Sequence, residues 1–277
     1  SAGSSTTKTS ISPAVARRRV ASTSAEAGAV TKMHNVAKSA AGATNRRDSN
    51  IGGNLSVGDI LPRIARSRCN AGGHFHIDPA PPPEMKALLA THGIRLNPPV
   101  ASIKDAEVLV IAVKPQLMEE ALPGIVPLKA SRPLVLSVAA GKTIAYFEAR
   151  FGTDAAVMRT MPNTPAAVGR GITAMVANPN VSAQQAELAR TLLGAVGDVV
   201  TVDREGLIDA VTGVSGSGPA YVFYLTECLA AAGEKAGLPA DIAMKLARAT
   251  VSGAGELMRV TGTEAATLRQ NVTSPKG

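Results

Sequence analysis

Gly52-Gly53-Asn54, Asp78 and the run Ala210–Tyr221 (AVTGVSGSGPAY) are the places where residue type and spacing point to chemistry. A glycine pair followed by Asn-Leu-Ser can cradle phosphates at a strand-to-helix turn, because glycine lets backbone N–H groups approach an anion closely. Asp78 closes the short strand-like run His74-Phe75-His76-Ile77-Asp78. A carboxylate there can accept a hydrogen bond from a ribose 2′-hydroxyl and disfavours a 2′-phosphate; it can equally cap the helical segment that begins at Pro79. His74 and His76 alternate along the same run and share one face. Without a carboxylate or cysteine partner in ligand spacing, they read as solvent-facing strand histidines rather than a metal pair. In Ala210–Tyr221, serine and glycine interrupt regular structure, and Pro219 suits the first position of a helix, where its missing N–H costs nothing.

These residues need a sheet to hold them. Val108–Val113 (VLVIAV) is an unbroken apolar run of the kind buried on both faces of a parallel sheet, and Lys114-Pro115 ends it. Leu134–Val138 is a second such strand, Ala156–Arg159 a third and Val199–Val202 a last short one. Met85, Leu88 and Leu89 recur at helical spacing after Pro79–Pro83, and Ser182 with Gln185 makes a capping box for a helix ending near Leu193. Beyond Asp203 the strands stop. Val222–Leu229 is apolar enough for a helix buried on most sides, while Ile242, Leu246, Ala249, Gly253 and Leu257 share one helix face. That face would be bare in a monomer, which favours self-association. The expected fold is α/β, a Rossmann-like doubly wound parallel sheet followed by an all-α module. Residues 1–50 read as a tail, 51–202 as the dinucleotide-binding domain and 203–277 as the helical part.

Composition narrows the function. The chain has 277 residues, is 45% hydrophobic yet only 3% aromatic, and contains no Trp, so its cores are built from Ala, Val, Leu and Ile. Its net charge of +8 is concentrated in residues 1–50, which leaves a near-neutral body and argues against nucleic-acid binding. Those fifty residues are rich in Ser, Ala, Thr and Arg and read as disordered, with a transit-like segment or an aberrant stretch as alternatives. No apolar run reaches the roughly 18 residues that would cross a membrane. Cys69 and Cys228 make neither a disulfide framework nor a zinc spacing, and Cys228 reads as a buried, inert thiol. A cytoplasmic location fits, organelle targeting by the basic tail being the alternative. The weak point is the first βα unit. A central strand should precede Gly52, but the chain there reads Asn45-Arg46-Arg47-Asp48-Ser49-Asn50, and such charges are costly to bury without partners. Ile51 stands where a first glycine belongs, and Gly58 and Pro62 weaken the helix that should follow. No replacement apolar run is expected within residues 1–50, so Gly52-Gly53-Asn54 is either a phosphate turn or a bare loop.

Four motifs in fixed order carry a family resemblance: AVKPQ (Ala112–Gln116), MPNTPA (Met161–Ala166), Ala210–Tyr221 and NVTSP (Asn271–Pro275). From about Phe75 to Pro275 the chain closely resembles the pyrroline-5-carboxylate reductases, nicotinamide-dependent imine reductases that form proline. The resemblance implies NADPH or NADH as cofactor and 1-pyrroline-5-carboxylate as substrate. It also implies a homodimer or higher homo-oligomer, whose interlocking helical halves complete the substrate pocket. Cofactor contacts would come from Gly52, Gly53, Asn54 and Asp78, from Ala112, Val113, Lys114 and Pro115, from Ala139, Ala140 and Gly141, and from Pro162 and Asn163. Asn271, Val272, Thr273 and Ser274 would begin the loop that holds the substrate carboxylate. Glu205 matches a position near the substrate, its alternative being a solvated residue at a helix start. Such a reduction needs a protonated imine, a fixed carboxylate and a carbon held about 3–3.5 Å from the hydride donor. That demand explains why no nucleophile, metal cluster or catalytic histidine stands out.

Departures from the family pattern set further expectations. Pro99 stands where the family often has Asn, which removes one polar contact. Lys276 replaces the first glycine of the family's S-P-G-G-x-T, whose threonine and closing helices would follow Gly277. Weak or absent reductase activity is therefore expected, with a non-catalytic homologue that pairs with a partner as the alternative. A related β-hydroxy-acid dehydrogenase would want a placed lysine, and neither Lys235 nor Lys245 has a supporting motif.

Overall fold

The computed structural model describes residues 29–33 and 73–274. The strands are β1 (Ala29–Met33), β2 (Phe75–Ile77), β3 (Arg95–Leu96), β4 (Val108–Ala112), β5 (Leu134–Ser137), β6 (Val157–Met161), β7 (Gly171–Ala177) and β8 (Gly197–Thr201). They form one sheet in the order β3-β2-β1-β4-β5-β6-β7-β8. β4, β5 and β6 run parallel, and so do β2 and β3. β1 is antiparallel to both its neighbours, and β7 turns back against β6 with β8 parallel to it. The sheet is thus mixed around a parallel centre, where the sequence pattern suggested parallel strands only. β3 escaped the sequence reading because it has two residues. β7 escaped because a short apolar run such as GITAMVA does not declare its period.

β1 corrects a second expectation. Ala29–Met33 lies inside the stretch read as a featureless tail, yet it fills the slot between β2 and β4. Both neighbours present backbone N–H and C=O groups to that slot, and such groups must find partners. A five-residue segment with Val and Thr at its centre can supply them even with a lysine inside it. Its direction is reversed, however. Ala29 pairs with Ala112 and Met33 with Val108, so the chain leaves β1 at the edge where β4 begins. Gly52, Gly53 and Asn54 lie outside the described residues.

Helices α1 (Pro83–Thr91), α2 (Met118–Ile125), α3 (Ile144–Phe151) and α4 (Ala183–Gly194) cover the two faces. Alternation along β4 divides the core. Val108, Val110 and Ala112 pack with Leu89 of α1 and Ala189, Leu192 and Leu193 of α4. Leu109, Ile111 and Val113 pack with Met118 and Leu122 of α2 and Phe147 and Phe151 of α3. Burying side chains of this size is worth about 1.5–3 kcal/mol each, which fixes the register of the sheet's centre. The Ser182–Gln185 capping box is present, with Ser182 Oγ accepting from the Gln185 N–H and Gln185 Oε1 accepting from the Ser182 N–H. His74 and His76, expected to face solvent, are both 2% exposed. The reason is that β2 lies within the sheet, between β3 and β1, with both its faces covered.

Past Thr201 the chain is helical: α5 (Ile208–Val211), a wide π-helical turn (Thr212–Gly216), α6 (Gly218–Lys235), α7 (Ala240–Thr261) and α8 (Ala265–Asn271). Pro219 takes the expected place in the first turn of α6. α6 and α7 pack on each other as a hairpin, and small side chains make that contact, with Ala230, Ala243 and Ala247 the buried residues in these helices. The expectation that Val222–Leu229 is buried on most sides fails in one chain. Phe223 is 60% and Tyr224 68% exposed, and Leu246 and Leu257 of α7 are half exposed. Cys228 is exposed as well, not buried, because it lies on the same uncovered helix.

Candidate active site

The loops that leave β4, β5 and β6 emerge at one edge, since these strands are parallel. In doubly wound sheets that edge is where a ligand sits. Ala112 closes β4 and Val113 follows it, both buried, and Pro115 opens a short 3-10 turn whose Leu117 N–H donates to the Lys114 carbonyl. After β5 the chain is held by Ser137, whose Oγ accepts from the Ala139 N–H at 3.2 Å and whose carbonyl accepts from Thr160 Oγ1 at 2.9 Å. Ala139 is buried, while Ala140 and Gly141 are exposed at the rim. Gly141 has φ +73°, and a Cβ added there would meet nothing within 4 Å. The loop therefore needs glycine for its backbone rather than for space in the protein.

Asn163, after β6, spends its side chain on structure. Oδ1 accepts from the Ile172 N–H at 3.0 Å, and Nδ2 donates to the Ser215 carbonyl at 3.2 Å. One amide thus ties the end of β6 to the start of β7 and to the π-helical turn. Gly216 in that turn lies so close to Met161 that a Cβ would stand 2.6 Å from the methionine methyl. Pro162 and Asn163 are therefore held against the Ser-Gly segment that the sequence singled out.

Glu205 is likewise engaged. Its Oε1 accepts from Arg159 Nη1 at 2.9 Å and from the Ile144 N–H, the first of α3, at 2.8 Å. The Arg159 side chain is 9% exposed and that of Glu205 29%. Glu205 thus neutralises a buried guanidinium, caps α3 and anchors the start of the helical part to the sheet. Arg159 was not singled out from the sequence, although an arginine inside an apolar strand signals a buried partner.

At the end of β2 the Asp78 carboxylate turns back on its own loop, Oδ1 accepting from the Ala80 N–H at 2.9 Å. It does not cap α1, whose cap position is Pro82. The Asp78 N–H donates to Asn97 Oδ1 at 2.8 Å, and Asn97 Nδ2 donates to the Asp78 carbonyl at 2.7 Å. Asn97 holds this clasp with φ +48°, a region asparagine tolerates better than most residues. Asp78 Oδ2 lies 3.7 Å from His76 Nε2. Burial, opposed by the charge of Asp78, holds the His76 imidazole below its ordinary pKa.

Asn271, Val272, Thr273 and Ser274 are all exposed at the end of α8, with Val272 at 82%. The hydrogen bonds of Thr273 are local, to Arg269 and Gln270. One chain does not bury this segment against the strand-end loops. Two clefts of about 580 and 440 Å³ lie at the opposite edge, lined by Lys104, Arg132 and Gln185 among others. They are shallow depressions where strands begin, away from the loops described above. Among the described residues no cluster of His, Cys, Asp and Glu could hold a metal ion, and no helix is long and apolar enough to cross a membrane.

A doubly wound sheet with converging strand-end loops, followed by helices with bare apolar faces, is the architecture of a dinucleotide-binding protein. Residues 205–277 match the model of the pyrroline-5-carboxylate reductase dimerisation family. A Synechocystis pyrroline-5-carboxylate reductase is 42% identical over 228 residues, covering 82% of this chain and 84% of that protein. The Pseudomonas aeruginosa enzyme of the same name is 39% identical over 85% of this chain and 83% of its own length. Among solved structures, the Coxiella burnetii reductase superposes with TM-score 0.71 at 31% identity, over 79% of this chain and 82% of that one. The Plasmodium falciparum reductase, with NADP bound, gives 0.65 at 26% identity, over 79% of this chain and 80% of that one. The chain belongs to the pyrroline-5-carboxylate reductase family.

Proposed function

We propose that this protein reduces 1-pyrroline-5-carboxylate to L-proline with NADPH or NADH, as a homodimer or higher homo-oligomer. The observation that carries the reading is the convergence of the loops after β4, β5 and β6 on one edge, with the π-helical turn pinned beside them by Asn163. The residues present fit a dinucleotide there. Ala112, Ala139, Ala140 and Gly141 are too small to obstruct it, and the left-handed Gly141 keeps open space above its backbone. When bound, a reduced nicotinamide supplies the hydride. This chain's part is to position and to exclude water. Val113, Lys114 and Pro115 offer backbone along one side, while Pro162 and Asn163 hold the π-helical turn against the other.

The substrate is an anion with a C=N bond, so it needs a carboxylate holder and a path for one proton. The Asn271–Ser274 segment supplies backbone N–H groups and hydroxyls suited to a carboxylate. Because this segment is exposed in one chain, we assign its pocket to the interface between two copies. The bare faces of α6 and α7, about half exposed at Ile242, Leu246 and Leu257, form that interface. Glu205 acts as a positioning residue, through Arg159 and α3, and not as a proton donor. The proposed functional units are the sheet domain through residue 202 and the helical dimerisation module 203–277, in the cytoplasm. The reversed β1 favours a second reading, a non-catalytic partner subunit, because β1 ends, at Met33, beside the start of β4 and so at the edge opposite the crevice. The purified chain is assayed for pyrroline-5-carboxylate-dependent loss of NADH and NADPH absorbance. Turnover supports the reductase; a dimer that neither turns over nor changes nicotinamide fluorescence supports the second reading.

A further inference from the structure

We infer that the loop Asp78–Pro83 makes this protein selective for NADH, by rejecting the 2′-phosphate of NADPH. The inference rests on the reductase reading above and goes beyond it to the choice of cofactor. In a doubly wound fold the residue that ends the second strand reaches the adenosine ribose, and here that residue is Asp78, directly after Ile77 of β2.

A 2′-phosphate needs cations or N–H donors, and this loop has none to give. Its sequence is Asp-Pro-Ala-Pro-Pro-Pro, and four of those six residues carry no N–H. The two that do are already committed: the Asp78 N–H to Asn97 Oδ1 at 2.8 Å, and the Ala80 N–H to Asp78 Oδ1 at 2.9 Å. No side chain between Asp78 and Pro83 is a lysine, arginine, serine or threonine. The next residue, Glu84, adds another acid in the first turn of α1. Arg95 pairs with Phe75, at the far end of β2, and Lys86, the nearest cation in sequence, is one turn into α1.

What the loop does hold is a largely buried carboxylate: Asp78 Oδ1 is taken by the Ala80 N–H, which leaves Oδ2 as the acceptor. His76 Nε2 stands 3.7 Å from Asp78 Oδ2, but burial holds that imidazole neutral at pH 7, so it does not offset the carboxylate. A ribose 2′-hydroxyl can donate to Asp78 Oδ2, whereas a phosphate dianion in its place is repelled by the carboxylate and finds no donor in the segment Asp78–Pro83. The Asn97 clasp holds the backbone of Asp78 in this position, so the loop cannot swing its N–H outward without breaking two hydrogen bonds.

The test is a titration of the purified full chain with NADH and with NADPH, each followed by nicotinamide fluorescence at fixed ionic strength. NADH is expected to bind at least tenfold tighter. Asp78→Ser should shrink that ratio. Because Asp78 also holds the turn at Ala80, a second variant is used, Ala80→Arg, at an exposed position that keeps the backbone hydrogen bond. It should tighten NADPH at least tenfold relative to NADH. Equal or tighter binding of NADPH by the unaltered chain, or a ratio unmoved by Ala80→Arg, overturns the selectivity and leaves the reductase reading standing. Binding of neither dinucleotide overturns both.

Discussion

Glu205→Ala separates three roles that one carboxylate oxygen performs. The change removes the acceptor for Arg159 Nη1 at 2.9 Å and for the Ile144 N–H at 2.8 Å. It leaves a guanidinium that is only 9% exposed without its counter-charge. Breaking a fully buried pair costs about 3–5 kcal/mol, whereas exposed pairs are worth about 0–1 kcal/mol. With Arg159 nearly buried and Glu205 29% exposed, the cost falls between these limits, at about 2–3 kcal/mol. Loss of the acid at the first turn of α3 adds about 0.3–1 kcal/mol. For a chain of this size each kcal/mol moves Tm by about 2–4 °C, so a fall of about 5–15 °C is expected. Glu205→Gln keeps an oxygen for both donors and should lose about half as much. Arg159→Met removes the buried charge itself, so Glu205→Ala in that background should cost under about 1 kcal/mol. Calorimetry of the four proteins measures the coupling. Additive losses, or a Tm shift below 1 °C for Glu205→Ala, would refute the reasoning.

Three further outcomes follow from particular contacts. Burial keeps the His76 pKa below its unfolded value, so the unfolded chain binds the proton first. The neutral-His contribution is full above pH of about 6.5 and is lost as pH falls toward the folded pKa; His76→Gln should flatten this part of a Tm-against-pH curve measured from pH 8 to 5. Gly216→Ala places a Cβ 2.6 Å from Met161 Cε, the free end of a flexible side chain that can turn aside, so it should cost less than about 1 kcal/mol in urea melts; a loss above about 2 kcal/mol would show that the methionine cannot move. Phe223→Ser removes an aromatic that is 60% exposed in one chain. If α6 meets a second copy, the dimer constant measured by sedimentation should weaken at least thirtyfold, equivalent to about 2 kcal/mol.

Much of the sheet's centre was legible because its signals are local and redundant. The unbroken apolar run of β4 can be satisfied only with both faces covered, and Ser182 with Gln185 encodes a helix start within four residues. The strand-end loops were legible through composition, since small residues and prolines sit where strands stop. What stayed hidden depends on partners distant in sequence. Nothing local in Ala29–Met33 marks it as the strand that joins β2 to β4, and its direction is set by pairing alone. Asn97 reveals its clasp on Asp78 only once β3 lies beside β2. Glu205 was legible as a residue of interest but not in its role, because Arg159 sits 46 residues earlier. Cys228 was misjudged because an apolar run predicts burial without saying what would provide it, and in this chain the helix face that carries it is uncovered.

The central claim is that the crevice at the ends of β4, β5 and β6 sets a reduced nicotinamide against a C=N carbon. It is tested most directly by incubating the purified chain with 1-pyrroline-5-carboxylate and NADH carrying deuterium at both C4 positions of the nicotinamide, then analysing the product by mass spectrometry and NMR. The account predicts proline with one deuterium at C5. Proline without deuterium, or none formed above the level of a protein-free control, would contradict it.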